Sequence, residues 1–258
     1  MMYNVSVVIP AYNRHSTLPY CLTSVLNQTY PVSEIIVVDD GSSKPLDQLI
    51  ERFSDPRIRL ICHPNHLGAQ QARNTGITEA KEDWIAFLDS DDEWLPNKLQ
   101  KQVDALKKSN GLICCTDGYQ KGHQGLSHLH LLKNKIPENT FSQILKHSFL
   151  MFQGLLVNKI CFDAINGLDN DVPAFQEWDT MIRLSFLFEI TLLQEPLFIY
   201  HLDKGPSISK DTALRRHGYA YVVKKHRDKI TKYGGKELLS AHYQKIQEKC
   251  YGLTSSPP

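Results

Sequence analysis

Short apolar runs alternate with longer amphipathic segments along the first 115 residues, and this alternation restricts the fold more than any other feature. The apolar runs are rich in β-branched residues and predict strands at residues 5–9, 34–38, 57–62, 84–88 and 112–115. The segments between them predict helices at residues 16–28, 46–53, 68–81 and 96–108. Strands and helices in strict alternation form crossover units, so we expect a mostly parallel sheet with helices on both faces. Ligands of such sheets bind at the carboxyl ends of the strands.

The alternation weakens after residue 116. Residues 117–137 are rich in Gly, His and Lys and predict a variable loop or lid. The following elements are predicted as a short helix near 140–147, a strand near 154–157, a helix at 177–188, a strand or hairpin around 192–201 and a mostly helical segment at 211–251. These patterns divide the chain into an α/β half at 1–115, a second half of the same domain at 116–208 and a helical tail at 209–258.

The composition excludes several classes of protein. The 258 residues are 41% hydrophobic, which suffices for one large core or two small ones and rules out a disordered, collagen-like or disulfide-scaffold chain. The six cysteines form no Cys-x-x-Cys pair, so we expect buried, reduced thiols. No apolar run approaches the roughly 20 residues that span a bilayer, and we expect no transmembrane helix. The first ten residues lack a basic region and a cleavage site, which predicts a cytoplasmic protein.

The charges are unevenly distributed although the net charge is only +1. From Lys204 onward there are twelve basic and four acidic residues, which leaves 17 basic and 24 acidic residues before it. Two interpretations of the basic tail stay open. The plainer one, which we slightly prefer, is a solvated pair of helices; the other is a peripheral contact with the anionic inner face of the cell membrane. We expect no nucleic-acid partner.

Polar side chains follow three of the predicted strands, at residues 10–14, 39–42 and 89–93. Taken singly, each segment is also typical of an ordinary turn or helix N-cap. The third has four carboxylates within five residues, namely Asp89, Asp91, Asp92 and Glu93. Such a cluster repels itself unless a cation offsets it, and Mg²⁺ or Mn²⁺ takes carboxylate and phosphate oxygens as ligands. We therefore predict a metal that bridges the protein to a diphosphate.

The segment from Gly68 to Gly76 adds a second feature suited to an anion. A glycine opens the predicted helix, and the backbone N–H groups of a helix N-terminus attract phosphate or carboxylate. Arg73 follows within this helix, and its planar guanidinium binds the same groups in a forked geometry. The alternative role of Arg73 is to neutralise the acidic turn, and both roles place it at the same site.

Five segments together resemble glycosyltransferase family 2. They are Pro-Ala-Tyr-Asn-Arg at 10–14, Val-Val-Asp-Asp-Gly-Ser at 37–42, the segment 68–76, Phe-Leu-Asp-Ser-Asp-Asp at 87–92 with Trp-Leu-Pro at 94–96, and Gln-Glu-Trp-Asp at 176–179 with Arg183. The family consists of inverting enzymes of the GT-A fold that use nucleotide-sugar donors. The resemblance covers roughly residues 3–208, and the order and separation of the motifs make it specific.

The resemblance implies a role for each matching residue. Tyr12, within the donor-binding segment that also includes Pro10, Ala11 and Arg14, is similar to the aromatic residue that stacks on the donor base. Asp39 is similar to the carboxylate that accepts a hydrogen bond from that base, and Arg73 to a basic contact near the nucleotide. The acidic turn would contact the ribose, the diphosphate and the metal through Asp89, Ser90 and Asp91. Asp92 would be a helix N-cap or would support the metal ligands.

The same resemblance makes Glu177 the catalytic base, so residues 116–208 would bind the acceptor. Inversion in one displacement needs a carboxylate that takes the proton of the attacking hydroxyl. Many relatives have Glu-Asp or Gln-Asp where this chain has Gln176-Glu177, so its base would be one methylene longer. Asp179 is the alternative base, but a first-turn acid at this position also suits the helix dipole, and we prefer Glu177.

A second departure lies near the end of the resemblance. Relatives often have an Arg and then a His in this region, whereas here His201 is nearer the Arg position and Asp203 nearer the His position. A late His can complete the metal site of this fold, and His201 is therefore a candidate ligand together with Asp89 and Asp91. Hydrogen bonding at the protein surface is the other role of such a His.

These observations predict a cytoplasmic, Mn²⁺- or Mg²⁺-dependent glycosyltransferase of surface polysaccharide or lipopolysaccharide synthesis. The predicted donor is a UDP-sugar, with GDP- and dTDP-sugars as alternatives, and the acceptor is a saccharide or lipid-linked saccharide. A sugar nucleotidyltransferase is disfavoured because no glycine-rich loop follows the first strand, and a dinucleotide oxidoreductase because Gly-x-Gly-x-x-Gly is absent. A donor-binding scaffold without transfer activity is the remaining alternative, against which Asp91 and Glu177 argue.

Overall fold

The structure is a computed structural model that describes residues 3–135, 140–202 and 211–251. Its strands are β1 (Val5–Ala11), β2 (Glu34–Asp39), β3 (Ile58–Cys62), β4 (Trp84–Phe87), β5 (Glu93–Trp94), β6 (Ile113–Gly122), β7 (Gly125–His128), β8 (Leu155–Asn158) and β9 (Thr191–His201). Its α-helices are α1 (Leu18–Leu26), α2 (Asp47–Glu51), α3 (Ala69–Glu79), α4 (Lys98–Ser109), α5 (Thr140–Lys146), α6 (Lys159–Ala164), α7 (Gln176–Leu187), α8 (Thr212–Lys225), α9 (Arg227–Lys229) and α10 (Gly235–Tyr251). A 3₁₀ turn precedes β8, and a π-helical segment joins α9 to α10.

The strands form one mixed sheet in the order β3-β2-β1-β4-β8-β6-β9-β5, with β7 paired to β6. The first four strands of this order are parallel, as their crossover helices require. Strand β8 is antiparallel to both β4 and β6, whereas β6 and β9 are parallel. The predicted α/β class and the predicted parallel half are confirmed, and the order places the carboxyl ends of β1, β2 and β4 side by side.

Alternate residues of the central strands supply two cores, one on each face of the sheet. Val5, Val7 and Ile9 of β1 pack on the face covered by α1 and α4. Val8 packs on the other face, in a core that includes residues of α3, α5, α7 and α8. Both faces of β1 and β2 are buried, which explains why the sequences of these strands are nearly continuous apolar runs.

The predicted helical tail is confirmed, but its interpretation as a solvated pair of helices is wrong. Val222 and Val223 of α8 and Ile230 of the π-helical segment are buried in the core that contains α7. The ring of Tyr219 stacks on that of Trp178, with 5.1 Å between ring centres. The tail therefore contributes one apolar face to the core and exposes the other.

The prediction of a loop or lid at residues 117–137 is also partly wrong. Strand β6 continues to Gly122 and turns back into β7, so the first half of this segment is a β-hairpin. The carboxylate of Asp117 accepts hydrogen bonds from the N–H groups of Leu131 and Leu132, both at 3.1 Å, and ties the following turn to the sheet. Strand β5 and helix α6 were not predicted at all.

The predictions about the cysteines and about transmembrane helices can be examined in the residues that the structure describes. The five cysteines described there have free thiols, and all but Cys62 are buried. Among the helices that the structure describes, none combines the length and apolar character needed to cross a membrane.

Candidate active site

A cleft of about 640 Å³ opens at the carboxyl ends of β1 and β4. Most residues predicted to form the site line it together: Pro10, Ala11, Tyr12, Arg14, Arg73, Asp89, Ser90, Asp91 and Glu177. They come from segments up to 167 residues apart in the chain, from Pro10 to Glu177. Asp39 and His201, which were predicted with them, do not line this cleft.

The end of β1 forms one wall of the cleft. Pro10 and Ala11 are buried, whereas the ring of Tyr12 is 42% exposed. That ring stacks on His66, with the two ring centres 4.1 Å apart and the planes inclined by 28°. Arg14 reaches across to the acidic turn, where its Nη2 lies 3.3 Å from Oδ2 of Asp91. This wall therefore offers an exposed aromatic face beside a cation.

In the turn after β2, the residue that lines the cleft is Asp40 and not the predicted Asp39. Asp39 is buried, its Oδ1 accepts the N–H of Ser42 at 3.0 Å, and it does not line the cleft. Asp40 lines the cleft instead. Its carboxylate accepts the N–H groups of Leu67 and Gly68 at 2.9 and 2.7 Å and also contacts His63 and His66.

Arg73 of α3 is buried and lines the cleft. Its Nη2 donates to Oδ1 of Asp89 at 2.6 Å, and its Nη1 donates to Oε1 of Gln176 at 3.3 Å. The guanidinium also packs over the ring of Phe152, 4.3 Å from its centre. Gly68 precedes α3 with φ of +96°, a left-handed conformation that favours glycine. The predicted pairing of Arg73 with the acidic turn is thus present.

The four carboxylates of the acidic turn have different partners. Asp89 accepts hydrogen bonds from Arg73 and from Nε2 of Gln153, the latter at 2.9 Å. Asp92 is fully buried and accepts from Gln153 and from the backbone N–H of His201. Burial, together with the charges of Asp89 and Asp91, raises the pKa of Asp92 well above its ordinary value. The alternative N-cap role of Asp92 is wrong, because Asn97 is the residue that precedes α4.

His201, predicted as a metal ligand, is not among the residues that line the cleft. Its Nε2 lies 2.7 Å from Oε1 of Glu93, so the ring pairs with the last carboxylate of the acidic turn. Asp203, the other residue considered near this position, lies outside the described residues.

Asp89 and Asp91 are the residues that fit a metal. Both line the cleft, and their side chains are 25% and 21% exposed. The negative charges of both raise the pKa of the neighbouring Asp92. Within the described residues no three His, Cys, Asp or Glu side chains are grouped closely enough to enclose a metal ion. A divalent ion bound here would therefore need oxygen ligands from a substrate as well.

Glu177 lies in the first turn of α7 and lines the same cleft. The helix begins after Phe175, whose φ of +61° turns the chain sharply into the helix. Burial raises the pKa of the Glu177 carboxyl; the positive charge of Arg73 lowers it and the negative charge of Asp89 raises it, with a net increase. A carboxylate with a raised pKa is suited to accept a proton.

Asp179 faces away from the cleft, which agrees with the preference for Glu177. It is fully buried between α7 and α8, where its carboxylate binds three cationic or protonatable side chains. These are Arg183 at 3.0 Å, Lys225 at 2.7 Å and His226 at 2.7 Å.

Several cleft residues had no predicted role. Asp40 and Gln176 belong to the motifs already recognised, so their presence was visible although their function was not. Gln153, Phe175 and Arg215 come from segments without a recognisable pattern, and only the folded chain brings them to the cleft.

Residues 6–167 match the family model described as Glycosyl transferase family 2. The chain belongs to this family. The match covers more than half of the chain and includes the turns that carry Tyr12, Asp39 and Asp91. It ends before α7, so Glu177 lies outside the matched range.

Two curated relatives illustrate the similarity. The chain is 44% identical over 108 residues to "UDP-Glc:alpha-D-GlcNAc-diphosphoundecaprenol beta-1,3-glucosyltransferase WfgD" of Escherichia coli, which covers 42% of this chain and 43% of WfgD. It is 29% identical over 213 residues to "Amylovoran biosynthesis glycosyltransferase AmsB" of Erwinia amylovora, covering 76% and 69% of the two chains. The chain thus matches less than half of WfgD and about two thirds of AmsB.

Among solved structures, TarS of S. aureus in complex with UDP-GlcNAc is similar with a TM-score of 0.77. The superposition covers 97% of this chain and 73% of the TarS chain at 16% sequence identity. This similarity confirms the predicted GT-A fold, a mixed and mostly parallel sheet flanked by helices.

Proposed function

We propose that this protein is an inverting, metal-dependent glycosyltransferase that moves a sugar from a nucleotide-sugar donor to a saccharide or lipid-linked saccharide. One observation carries the proposal: the acidic turn, with Asp89, Ser90 and Asp91, and the residue Glu177 of α7 line a single cleft. This reaction does not need the pair of carboxylates that a glycoside hydrolase uses, because the nucleoside diphosphate of the donor is already a good leaving group.

In this proposal the donor lies along the end of β1 and the acidic turn. Its base stacks on the exposed ring of Tyr12, and Arg14 and Arg73 supply positive charge near the diphosphate. The donor is a UDP-sugar: UDP-Glc appears in the name of WfgD, and TarS was solved with UDP-GlcNAc.

The reaction is a single displacement. The acceptor hydroxyl oxygen attacks the anomeric carbon, and the bond from that carbon to the diphosphate oxygen breaks on the opposite side. The nucleoside diphosphate leaves with the bonding electron pair, while Glu177 takes the proton of the attacking hydroxyl. Because burial raises the pKa of Glu177, its carboxylate is a stronger base than an exposed Glu.

Mn²⁺ or Mg²⁺ is the proposed cofactor, as is usual among enzymes of the GT-A fold, and Asp91 with Asp89 would hold it. Bound there, the ion would offset the negative charge that develops on the departing diphosphate. Arg73 acts on the same charge from the protein side, because it is buried and hydrogen-bonded to Asp89.

The acceptor is proposed to be an intermediate of surface polysaccharide synthesis. The names of AmsB and WfgD support this class, one through amylovoran and the other through a diphosphoundecaprenol-linked GlcNAc. The scaffold without transfer activity and the nucleotidyltransferase differ from this proposal in a measurable way, since neither makes a glycosidic bond.

The variant Glu177→Gln tests the assignment of the base. Transfer from UDP-sugars to lipid-diphosphate-linked GlcNAc should fall by about 10²- to 10⁴-fold, while the affinity for UDP stays within about twofold, because the amide keeps the shape of the side chain but cannot accept the proton. Glu189→Gln is the matched control, since Glu189 is exposed just beyond the C-terminal end of α7. Transfer by Glu177→Gln at the wild-type rate would show that another residue is the base.

We also propose that the protein binds the membrane peripherally. An aromatic patch, formed by Phe186 and Tyr233, is exposed by 42% and 44%, and the adjacent aliphatic residue Leu187 is exposed by 52%. Lysine side chains flank it: Lys229 lies 5.0 Å from the ring centre of Phe186, and Lys232 lies 5.1 Å from that of Tyr233. Exposed aromatic residues surrounded by lysines suit the interface of an anionic bilayer.

A further inference from the structure

Residues from 148 onward line a second part of the cleft, its apolar end. Six of these thirteen lining residues are apolar, namely Leu150, Met151, Val172, Pro173, Ala174 and Phe175. Among the described lining residues from 148 onward, only Glu177 and Arg215 are charged. A ligand bound there therefore meets one carboxylate, one guanidinium, neutral polar groups and a hydrophobic surface.

Arg215 is supplied to the cleft by α8, and the packing of that helix fixes its place. Asp211 caps the helix by accepting the N–H of Leu214 at 2.9 Å. Gly218 lies so close to the cleft wall that a Cβ atom there would be only 2.5 Å from the carbonyl oxygen of Ala174. One turn beyond Arg215, Tyr219 packs on Phe175 with 5.5 Å between ring centres. The helix therefore cannot move away from the wall without breaking this packing.

The guanidinium of Arg215 lies over the same Phe175 ring, with Cζ 5.5 Å from its centre. A guanidinium that stacks on an aromatic face keeps its N–H groups in the plane of the fork, where they can bind two oxygens of one phosphate. Phe175 is two residues before Glu177, and Glu177 and Arg215 both line the cleft.

We propose that Arg215 binds the phosphate of the acceptor, so that the acceptor class is a saccharide with a phosphate or diphosphate on its anomeric oxygen. The acceptor sugar would occupy the apolar end of the cleft with one hydroxyl at Glu177 and its phosphate at Arg215. This inference rests on the proposed function, because it assigns the acceptor end of the same site. It adds a residue from the C-terminal helices, which lie beyond the range of the family model.

Equilibrium binding tests the proposal without turnover. GlcNAc 1-phosphate, and separately inorganic phosphate, are titrated calorimetrically into protein saturated with UDP and Mg²⁺, which keeps the donor site occupied. Arg215→Gln should weaken binding of GlcNAc 1-phosphate by about tenfold or more, and Arg215→Lys by less, because lysine keeps the charge but not the fork. Arg216→Gln is the matched control, an exposed neighbour that does not line the cleft.

Two results would overturn the proposal: equal binding of both probes by the wild type and Arg215→Gln, or no binding of either probe by the UDP-loaded wild type. Turnover then distinguishes the source of the phosphate. GlcNAc joined to a decyl chain through a diphosphate, through one phosphate or directly should show a KM that depends on Arg215 only when phosphate is present. Failure of the proposed function gives a different pattern, in which phosphate still binds through Arg215 but Glu177→Gln leaves transfer unchanged.

Discussion

Arg73 connects the acidic turn to the start of α7 through one side chain. Its two terminal nitrogens donate to Asp89 of the acidic turn and to Gln176 beside the base, at 2.6 and 3.3 Å. Its charge also lowers the pKa of Glu177, against the effect of burial. A substitution of Arg73 would therefore alter donor binding and the pKa of the base together. Substitutions of Asp91 and Glu177 test metal-dependent donor binding and proton transfer separately.

The variant Asp91→Asn should specifically reduce the dependence of donor binding on metal. Replacing a residue that merely supports a metal ligand weakens metal affinity by about 10- to 100-fold, so loss of a proposed ligand should weaken it by at least about tenfold. Binding of UDP without metal should persist, because the change removes one negative charge 3.3 Å from Arg14 and leaves the positive charges of Arg14 and Arg73 in the cleft. Calorimetric titration of UDP at a series of Mn²⁺ concentrations measures both quantities.

Asp163→Asn is the control for this experiment, because Asp163 is exposed on α6. If Asp91→Asn and Asp163→Asn show the same Mn²⁺ dependence as the wild type, Asp91 is not a metal ligand.

The sequence located most of the site, and the residues it misplaced have a common cause. Asp39 and Asp40 are adjacent and chemically equivalent, and only the turn that closes on Ser42 decides which of them faces the cleft. His201 was assigned from its position in the chain, but its ring contacts Glu93 because β9 pairs with β5. Neither strand pairing nor side-chain direction at a turn is encoded in the spacing of the motif.

Helix α7 presents two acidic side chains to opposite environments. Glu177 and Asp179 are two residues apart, so they lie about 200° apart around a helix of 3.6 residues per turn. The first faces the cleft and the second faces α8, where Arg183, Lys225 and His226 surround it. The ion pairs of Asp179 therefore fix the helix that carries the base to the C-terminal helices.

The variant Asp179→Asn should destabilise the protein by about 3–5 kcal/mol, because removing one partner of a buried ion pair leaves the other charges uncompensated. Urea unfolding at pH 7.5 measures the change, with Asp163→Asn as a surface control expected within about 0.5 kcal/mol of the wild type. A destabilisation of Asp179→Asn no larger than that of the control would mean that these ion pairs do not hold α7 and α8 together.

The same cluster predicts how stability changes with pH. Burial lowers the pKa of His226 below 6.5, although its hydrogen bond to Asp179 acts in the opposite direction. The unfolded chain then binds protons more readily than the folded one, so the free energy of unfolding should fall as the pH drops from 7.5 through about 6.5 to 5.5. Burial acts to raise the pKa of Asp179, but its contacts with His226, Arg183 and Lys225 lower this pKa by more, so the net pKa is below the ordinary value of 3.8. The stability that the Asp179 carboxylate contributes is therefore lost only when the pH falls below 3.8.

Strands and helices of the first half were predictable because each has its own periodicity and a buried environment on both sides of the sheet. The β6-β7 hairpin was not, since Gly, His and Lys give residues 117–128 no apolar alternation and the pairing with β9 comes from far along the chain. The two-residue strand β5 exists only through its pairing with β9. Strands that form only by pairing with a distant strand therefore cannot be predicted from a local sequence pattern.

At the scale of the whole molecule, the near-neutral net charge conceals a division between an acidic body and a basic tail. The structure adds that the tail is part of the core, since Val222, Val223 and Ile230 are buried against the body. Truncation before residue 211 would expose this core and could not test membrane binding cleanly. Charge reversal on the exposed face tests it without that damage.

The double variant Lys229→Glu with Lys232→Glu should lose binding to vesicles that contain phosphatidylglycerol. Each lysine near an anionic surface contributes about 1 kcal/mol, so the pair should weaken binding by about thirtyfold or more. Lys81→Glu with Lys108→Glu changes the net charge equally at exposed positions outside the aromatic patch and should bind as the wild type does. Co-sedimentation with phosphatidylglycerol and with pure phosphatidylcholine vesicles measures this, because the electrostatic contribution requires anionic lipid. Equal losses of binding in both double variants would mean that binding depends on net charge alone. Unchanged binding in Lys229→Glu with Lys232→Glu would mean that the aromatic patch does not contact the membrane.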